Sequence, residues 1–235
     1  LDTRPQTALL LAVEAIRVQT EAGEQPLPES VQRLRSILNT AGGAPLPTGE
    51  PATTALAVSP DEHWLAAGDE EGNLRIWDLT DLDAPPRLLT GHVGPVWDLA
   101  FLGSEQLISA GEDSDLRAWS LTAPAAEPVV PYVGDAPLYV LALSPDGSQL
   151  AAAGVGGDLL LWPTDNLQSL PKRLAGHTDA VNTLAYSPDG RLLASGGDDG
   201  TVRLWNSADG AQLAAWDDSG SFVNLVMFSP DGRWL

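Results

Sequence analysis

The chain has no cysteine, a single lysine (Lys172) and three histidines in 235 residues. Without cysteine there can be no disulfide, no thiolate metal site and no cysteine nucleophile. Basic residues are also scarce: 12 stand against 32 acidic ones, a formal net charge of −20. A surface this acidic repels phosphate backbones, so nucleic acid is not an expected partner. Long apolar runs are missing as well. None approaches the roughly 18 residues needed to cross a bilayer, so no membrane partner is expected and the chain is expected in the cytoplasm. The acidity itself has two readings, solubility and complementarity to a basic protein partner.

Four tryptophans stand out against these absences. Trp77, Trp119, Trp162 and Trp205 recur at spacings of 42, 43 and 43 residues, each closing a similar stretch. A fixed period of that length marks a fold built from one repeated supersecondary unit. The clearest copy, residues 176–205, reads GHTDAVNTLAYSPDGRLLASGGDDGTVRLW. Val181 to Tyr186 predicts a strand, and Ser187-Pro188-Asp189-Gly190 a turn, because Pro presets φ and Gly accepts positive φ. Arg191 to Ser195 predicts a second strand, and Asp198-Asp199-Gly200 a tight hairpin turn. Thr201 to Trp205 and Ala211 to Ala215 complete four short antiparallel strands, one blade of a propeller. Residues 53–77, 91–119 and 138–162 align on this copy, and a fifth begins at Phe222. The predicted blades are about 53–90, 91–131, 132–175 and 176–217, with 218–235 a partial fifth.

The repeats resemble the WD-repeat β-propeller family. The likeness rests on Gly-His at 91–92 and 176–177, the SPDG turns and the closing Trp, though of the four closing tryptophans only Trp77 is followed by Asp. It covers about residues 50–235, four-fifths of the chain. The resemblance implies a buried chain of His, Ser, Asp and Trp within a blade. Two blades match at every position: His92, Ser109, Asp113 and Trp119, then His177, Ser195, Asp199 and Trp205. The chemistry is reasonable, since a buried indole N–H needs an acceptor and a serine hydroxyl supplies one. Blade one has Gly49, Ala67 and Glu71 at the other three places, and blade three has Gly134, Ala152 and Gly156. Their tryptophans must find other partners or pack as plain hydrophobes. Propellers usually bind partners on the face around the central channel. The residues expected there are Thr54, Trp97, Tyr139, Asn182 and Asn224, with the alternative that the Trp97 and Tyr139 rings only pack between blades.

A His, a Ser and an Asp invite a hydrolase reading. The set occurs twice, its serine lies within a strand and no oxyanion-hole sequence accompanies it, so a structural role is expected and no catalytic residue is assigned. His63, beside Trp64, is expected on a solvated turn. The acidic runs Asp69-Glu70-Glu71, Glu112-Asp113-Asp115 and Asp198-Asp199 lack calcium-loop spacing and are expected to be solvated turns. Gly154, Gly156 and Gly157 sit in a hairpin with no helix after it, so no phosphate loop is present. Neither a metal nor a cofactor is expected.

Residues 1–45 read differently. Thr3 and Gln6 have capping-box spacing, Leu9, Leu10, Val13 and Ile16 follow helical spacing, and Val31, Leu34, Ile37 and Leu38 form a second stripe. These predict a helical hairpin, joined by the Pro- and Gly-rich segment Ala44 to Pro51 to the propeller region 46–235. The hairpin resembles the linker helices before WD-repeat regions of large bacterial signalling proteins. That likeness implies a sensor or autoinhibitory role toward an upstream effector. A constitutive scaffold is the alternative, and an enzyme with its site in the channel a third. The fold class expected is an all-β propeller of four-stranded antiparallel blades, about 4.3 of them, preceded by the hairpin. Because the family's rings usually hold more blades, the rest of a longer polypeptide is expected to complete the ring.

Overall fold

The computed structural model describes residues 51–81, 84–123, 127–217 and 220–235. The predicted hairpin over 1–45 lies outside the described residues. What is described consists of four four-stranded antiparallel meanders. The first contains β1 (Thr53–Val58), β2 (Trp64–Asp69), β3 (Asn73–Asp78) and β4 (Arg87–Thr90). The second contains β5 (Val96–Leu102), β6 (Gln106–Gly111), β7 (Asp115–Ser120) and β8 (Val129–Val133). The third contains β9 (Leu138–Leu143), β10 (Gln149–Gly154), β11 (Leu159–Pro163) and β12 (Lys172–Leu174). The fourth contains β13 (Val181–Tyr186), β14 (Leu192–Gly197), β15 (Thr201–Asn206) and β16 (Gln212–Asp217). The second blade therefore runs two residues past 131, and the last strand two past Ala215.

One side-chain device sets the first hairpin of most copies. Ser59 Oγ donates to Asp61 Oδ1 (2.6 Å) and accepts the Trp64 N–H (2.9 Å). Ser144 with Asp146 and Gln149, and Ser187 with Asp189 and Leu192, repeat both bonds at the same lengths. The serine and the aspartate thus satisfy the turn locally, so the SPDG motif fixes where each strand reverses. Ser229, Asp231 and Trp234 form the same bracket, although residues 220–235 contain no strand. That segment still lies on the fourth sheet, where the Val223 N–H donates to the Gly197 carbonyl (3.0 Å).

The first strands of successive sheets pack on one another, β1 on β5, β5 on β9 and β9 on β13, which makes them the inner strands. Small residues allow this approach: a Cβ added to Gly68 would lie 2.8 Å from Val96. The core is interleaved between neighbouring blades. Leu74 and Ile76 of blade one meet Val96, Leu99 and Phe101 of blade two. Ile108 and Leu116 of blade two meet Leu138, Leu150 and Trp162 of blade three, and Leu159 and Leu161 meet Val181, Leu193 and Trp205 of blade four. Each of these buried aliphatic side chains stabilises the array by about 1.5–3 kcal/mol, so the blades hold one another in place.

Candidate functional site: the polar chains and the inner rim

In blade two the structure brings His92, Ser109, Asp113 and Trp119 into one chain. Trp119 Nε1–H donates to Ser109 Oγ (2.8 Å), Ser109 Oγ lies 2.6 Å from His92 Nε2, and His92 Nδ1 lies 2.8 Å from Asp113 Oδ1. Blade four repeats it with Trp205, Ser195, His177 and Asp199 at 2.9, 2.7 and 3.0 Å. The proton order follows from the acceptors. The indole occupies one lone pair of the serine, the hydroxyl proton goes to Nε2, and a neutral imidazole gives its Nδ1 proton to the carboxylate. Burial lowers the pKa of both histidines below the usual value, against the raising effect of their aspartates, and so favours that neutral form. Burial alone would raise Asp113 and Asp199, but hydrogen bonds from the histidines and from backbone N–H groups outweigh it. Asp199 falls to about 2. Ser109 and Ser195 are fully buried, so neither hydroxyl can meet a substrate.

Blades one and three lack this chain, and their Trp77 and Trp162 Nε1–H groups are buried without a hydrogen-bond partner. They pack as hydrophobes. Blade one fills the polar slot differently, and here the expectation of a solvated acidic turn is corrected. Asp69 is 1% exposed. It accepts from the Arg75 guanidinium (2.8 Å), the Asn73 N–H (2.9 Å) and the Glu71 N–H (3.0 Å), so an internal ion pair replaces imidazole and carboxylate. Arg117 and Arg203 stand at the position of Arg75 and approach Asp113 and Asp199 at 3.4 and 3.8 Å. His63 is half-exposed, with Nε2 3.5 Å from Asp78.

The expected rim residues have a common structural cause. Each inner strand carries a register shift at the residue after its opening position: between Thr53 and Ala55, Val96 and Asp98, and Val181 and Thr183, and opposite Ala153 and Gly154 in blade three. The unpaired residues are Thr54, Trp97, Tyr139 and Asn182. A bulge of this kind turns a side chain out of the ladder. The four side chains then do different things. Thr54 is half-buried and donates to the Val96 carbonyl of the next blade (2.5 Å), so it ties two blades together. Trp97 is 38% exposed, and its ring meets Tyr139 of the adjacent blade edge-on at 5.8 Å. Trp97 Nε1–H donates to Glu112 (2.9 Å), and the Asn182 amide donates to Asp198 (2.6 Å). Asn224 is exposed.

Glu112 and Asp198 escaped the sequence reading as members of this rim. The available signal was their constant offset of seven residues before the closing tryptophan, which Glu70 shares. Burial first, then the charges of Glu112 and Asp198, raise the pKa of Tyr139. The aromatic pair therefore sits in a negative field. A further link was also missed. Asp98 Oδ2 accepts the Leu141 N–H of the next blade (2.7 Å), and Thr183 Oγ1 likewise accepts the Val226 N–H (3.1 Å). Burial pushes the Asp98 carboxyl up to about 6, although two backbone N–H groups pull the other way.

Residues 47–78, 84–120 and 168–206 match the WD40 family (WD domain, G-beta repeat). Three stretches of the chain are thus similar to WD40 repeats. The WD40 matches pass over residues 121–167, which hold most of the blade that has lost histidine, serine, aspartate and arginine together. Among similar proteins is the target of rapamycin complex subunit wat1 of Schizosaccharomyces pombe, 30% identical over 56% of this chain and 42% of its own length. The protein LST8 homolog of Drosophila pseudoobscura pseudoobscura is 30% identical over 53% of this chain and 42% of its own length. Protein groucho of Drosophila melanogaster is 29% identical over 80% of this chain and 26% of its own length. The chain thus spans less than half the length of these relatives. Among the described residues no cluster of His, Cys, Asp or Glu has the geometry to hold a metal, and no helix is long and apolar enough to cross a membrane.

Proposed function

We propose that this chain is a non-catalytic protein-interaction module of the cytoplasm, and that its inner rim binds a basic segment of a protein partner. WD40 repeats act as interaction and scaffold modules. The observation that carries the reading is the Trp97–Tyr139 pair at 5.8 Å, exposed on Trp97 and flanked by Glu112 and Asp198. Exposed aromatics make effective binding anchors, and the surrounding carboxylates attract a cationic partner. The histidine chains support the non-catalytic part, because they occur twice and their hydroxyls are shut away from solvent. In a longer polypeptide that completes the ring, such a rim would serve as a sensor or regulator of an upstream effector of a bacterial signalling protein. A constitutive scaffold is the second reading, favoured by wat1, which is named as the subunit of a complex.

The test is Trp97→Ala. The partner is first isolated by cross-linked pull-down with the full-length protein, and its binding to both forms is then measured at low and high ionic strength. Loss of an anchor tryptophan should weaken binding at least about thirtyfold, a loss of about 2 kcal/mol or more, and move the thermal midpoint by only a few degrees. A large drop in stability with unchanged binding per folded molecule would sink the proposal.

A further inference from the structure

Blade three contains a cleft beside the positions where blades two and four carry buried polar side chains. Its cavity volume is about 90 Å3, and its walls include Tyr132, Asp135, Leu138, Gly156, Asp158 and Arg173. One buried water needs roughly 10–15 Å3 on a comparable measure, so the cleft has room for the end of a side chain. Its origin is the lost polar set. Gly134 stands where blades two and four have His92 and His177, and Gly156 stands where they have Asp113 and Asp199. The third strand of every other described blade carries an internal arginine, Arg75, Arg117 or Arg203, paired with a carboxylate of its own blade. Blade three has Leu160 in that place.

The carboxylates of blade three were not lost with the cations. Asp158 occupies the position of Asp115, which Arg117 holds at 2.7 Å. Among the described residues Asp158 has only Arg173 as an ion-pair partner, reaching over from β12 at 3.4 Å with half its side chain exposed. Such a pair is weak and easily exchanged. Asp135 has no ion pair among the described residues. Part of the vacated space is taken by Tyr132 of β8. Its ring packs edge-on against Trp162 at 5.3 Å, and its hydroxyl lies 3.2 Å from Arg173. What remains is a slot with apolar walls at Leu138 and Leu160 and two carboxylates against one guanidinium. An anion would meet the wrong majority of charge, and a cation would meet the right one.

We propose that the blade-three cleft receives an arginine side chain from a partner protein, which takes the place of the internal arginine this blade lacks. This rests on the reading of the chain as a protein-interaction module, but not on the rim. Tyr139 of the rim directly follows Leu138 of the cleft, so one partner segment can span both. The aliphatic stem would lie along Leu138 and Leu160, with the guanidinium on Asp158 and Asp135. A planar guanidinium suits this geometry better than an ammonium, because it can donate to two carboxylates at once.

The test is an NMR titration of the 235-residue chain with N-acetyl-arginine amide, its neutral isostere N-acetyl-citrulline amide and the anionic N-acetyl-glutamate amide. The arginine probe should give saturable shifts at Gly154, Gly156 and Asp158 and bind at least about tenfold more tightly than the citrulline probe. Asp158→Asn should remove most of that preference. Gly156→Leu should block the cleft, and it should fold, since a Cβ there meets only Ala136 at 3.7 Å. The shifts at Gly154, Gly156 and Asp158 should persist in Trp97→Ala, whatever that variant does to binding at the rim. Equal response to arginine and citrulline, a response to glutamate instead, or no saturable shift at all would overturn the proposal. Shifts confined to Trp97 and Tyr139 that persist in Gly156→Leu would overturn it while leaving the rim reading intact.

Discussion

Ser195→Ala tests whether the buried chain in blade four stabilises the fold. Ser195 Oγ serves two neighbours, accepting from Trp205 Nε1–H at 2.9 Å and meeting His177 Nε2 at 2.7 Å. Trp205 is 2% exposed and the His177 side chain is fully buried, so water cannot replace the lost oxygen. Each stranded group costs about 1–3 kcal/mol, which puts the substitution at about 2–4 kcal/mol after some relaxation. For a chain of this size that lowers the thermal midpoint by roughly 5–15 °C. Trp77 and Trp162 show that one orphaned indole is tolerated, so the protein should still fold. The assay is urea unfolding at neutral pH of the wild type, Ser195→Ala, His177→Ala and the double variant. His177→Ala alone should cost about 1–3 kcal/mol, because Ser195 and Asp199 lose a partner. The double variant should cost at least about 1 kcal/mol less than the two singles added together, because both singles break the same bond. A single-variant loss below about 0.5 kcal/mol would show that the chain contributes nothing, and strict additivity that Ser195 and His177 do not act through a shared bond.

Other consequences follow from particular residues. Ser114 has φ 68, where blades one, three and four have a glycine, so Ser114→Gly should raise stability by up to about 1 kcal/mol in the same urea assay. The Asp98 carboxyl is raised to about 6, so its ionisation opposes folding, and stability from this group is lost as pH rises from 4 through 6. Relative to wild type, Asp98→Asn should therefore gain about 3 kcal/mol between pH 4 and 7, read as a pH series of unfolding midpoints. His177 and Asp199 are shifted the other way. Their contribution is present near neutrality and is lost as pH falls, first below 6.5 for the histidine and then toward 2 for the aspartate. NMR titration of the imidazole should accordingly give a pKa below 6.5 for His177, and a higher value would contradict the neutral form.

What could be read from the sequence was set by local chemistry. The SPDG turns and the closing tryptophans carry their own reasons for being where they are, and the strands fell within about two residues of those predictions. The histidine, serine and aspartate of blades two and four could be aligned because their offsets from tryptophan are constant. The parts that were not legible depend on contacts across the repeat. Asp69 looks like part of a solvated acidic run. It is buried because Arg75, in the neighbouring strand, reaches back to it. Tyr132 belongs to the outer strand of blade two, yet its ring covers the tryptophan of blade three. Asp98 reads as a polar residue in an alternating strand, and its partner is a backbone N–H 43 residues on. The first two cases share one cause. Every blade must place something beside its buried tryptophan, and the sequence of one blade does not say whether that group comes from within. Blades two and four use imidazole, blade one uses an ion pair, and blade three borrows a ring from its neighbour and leaves a space. The slot's occupant can vary because its job is to fill and satisfy, which is why two copies of a histidine, serine and aspartate set mark no active site. Binding specificity should then be sought where the blades stop resembling one another, at Trp97 and Tyr139 on the rim and in the unfilled slot of blade three.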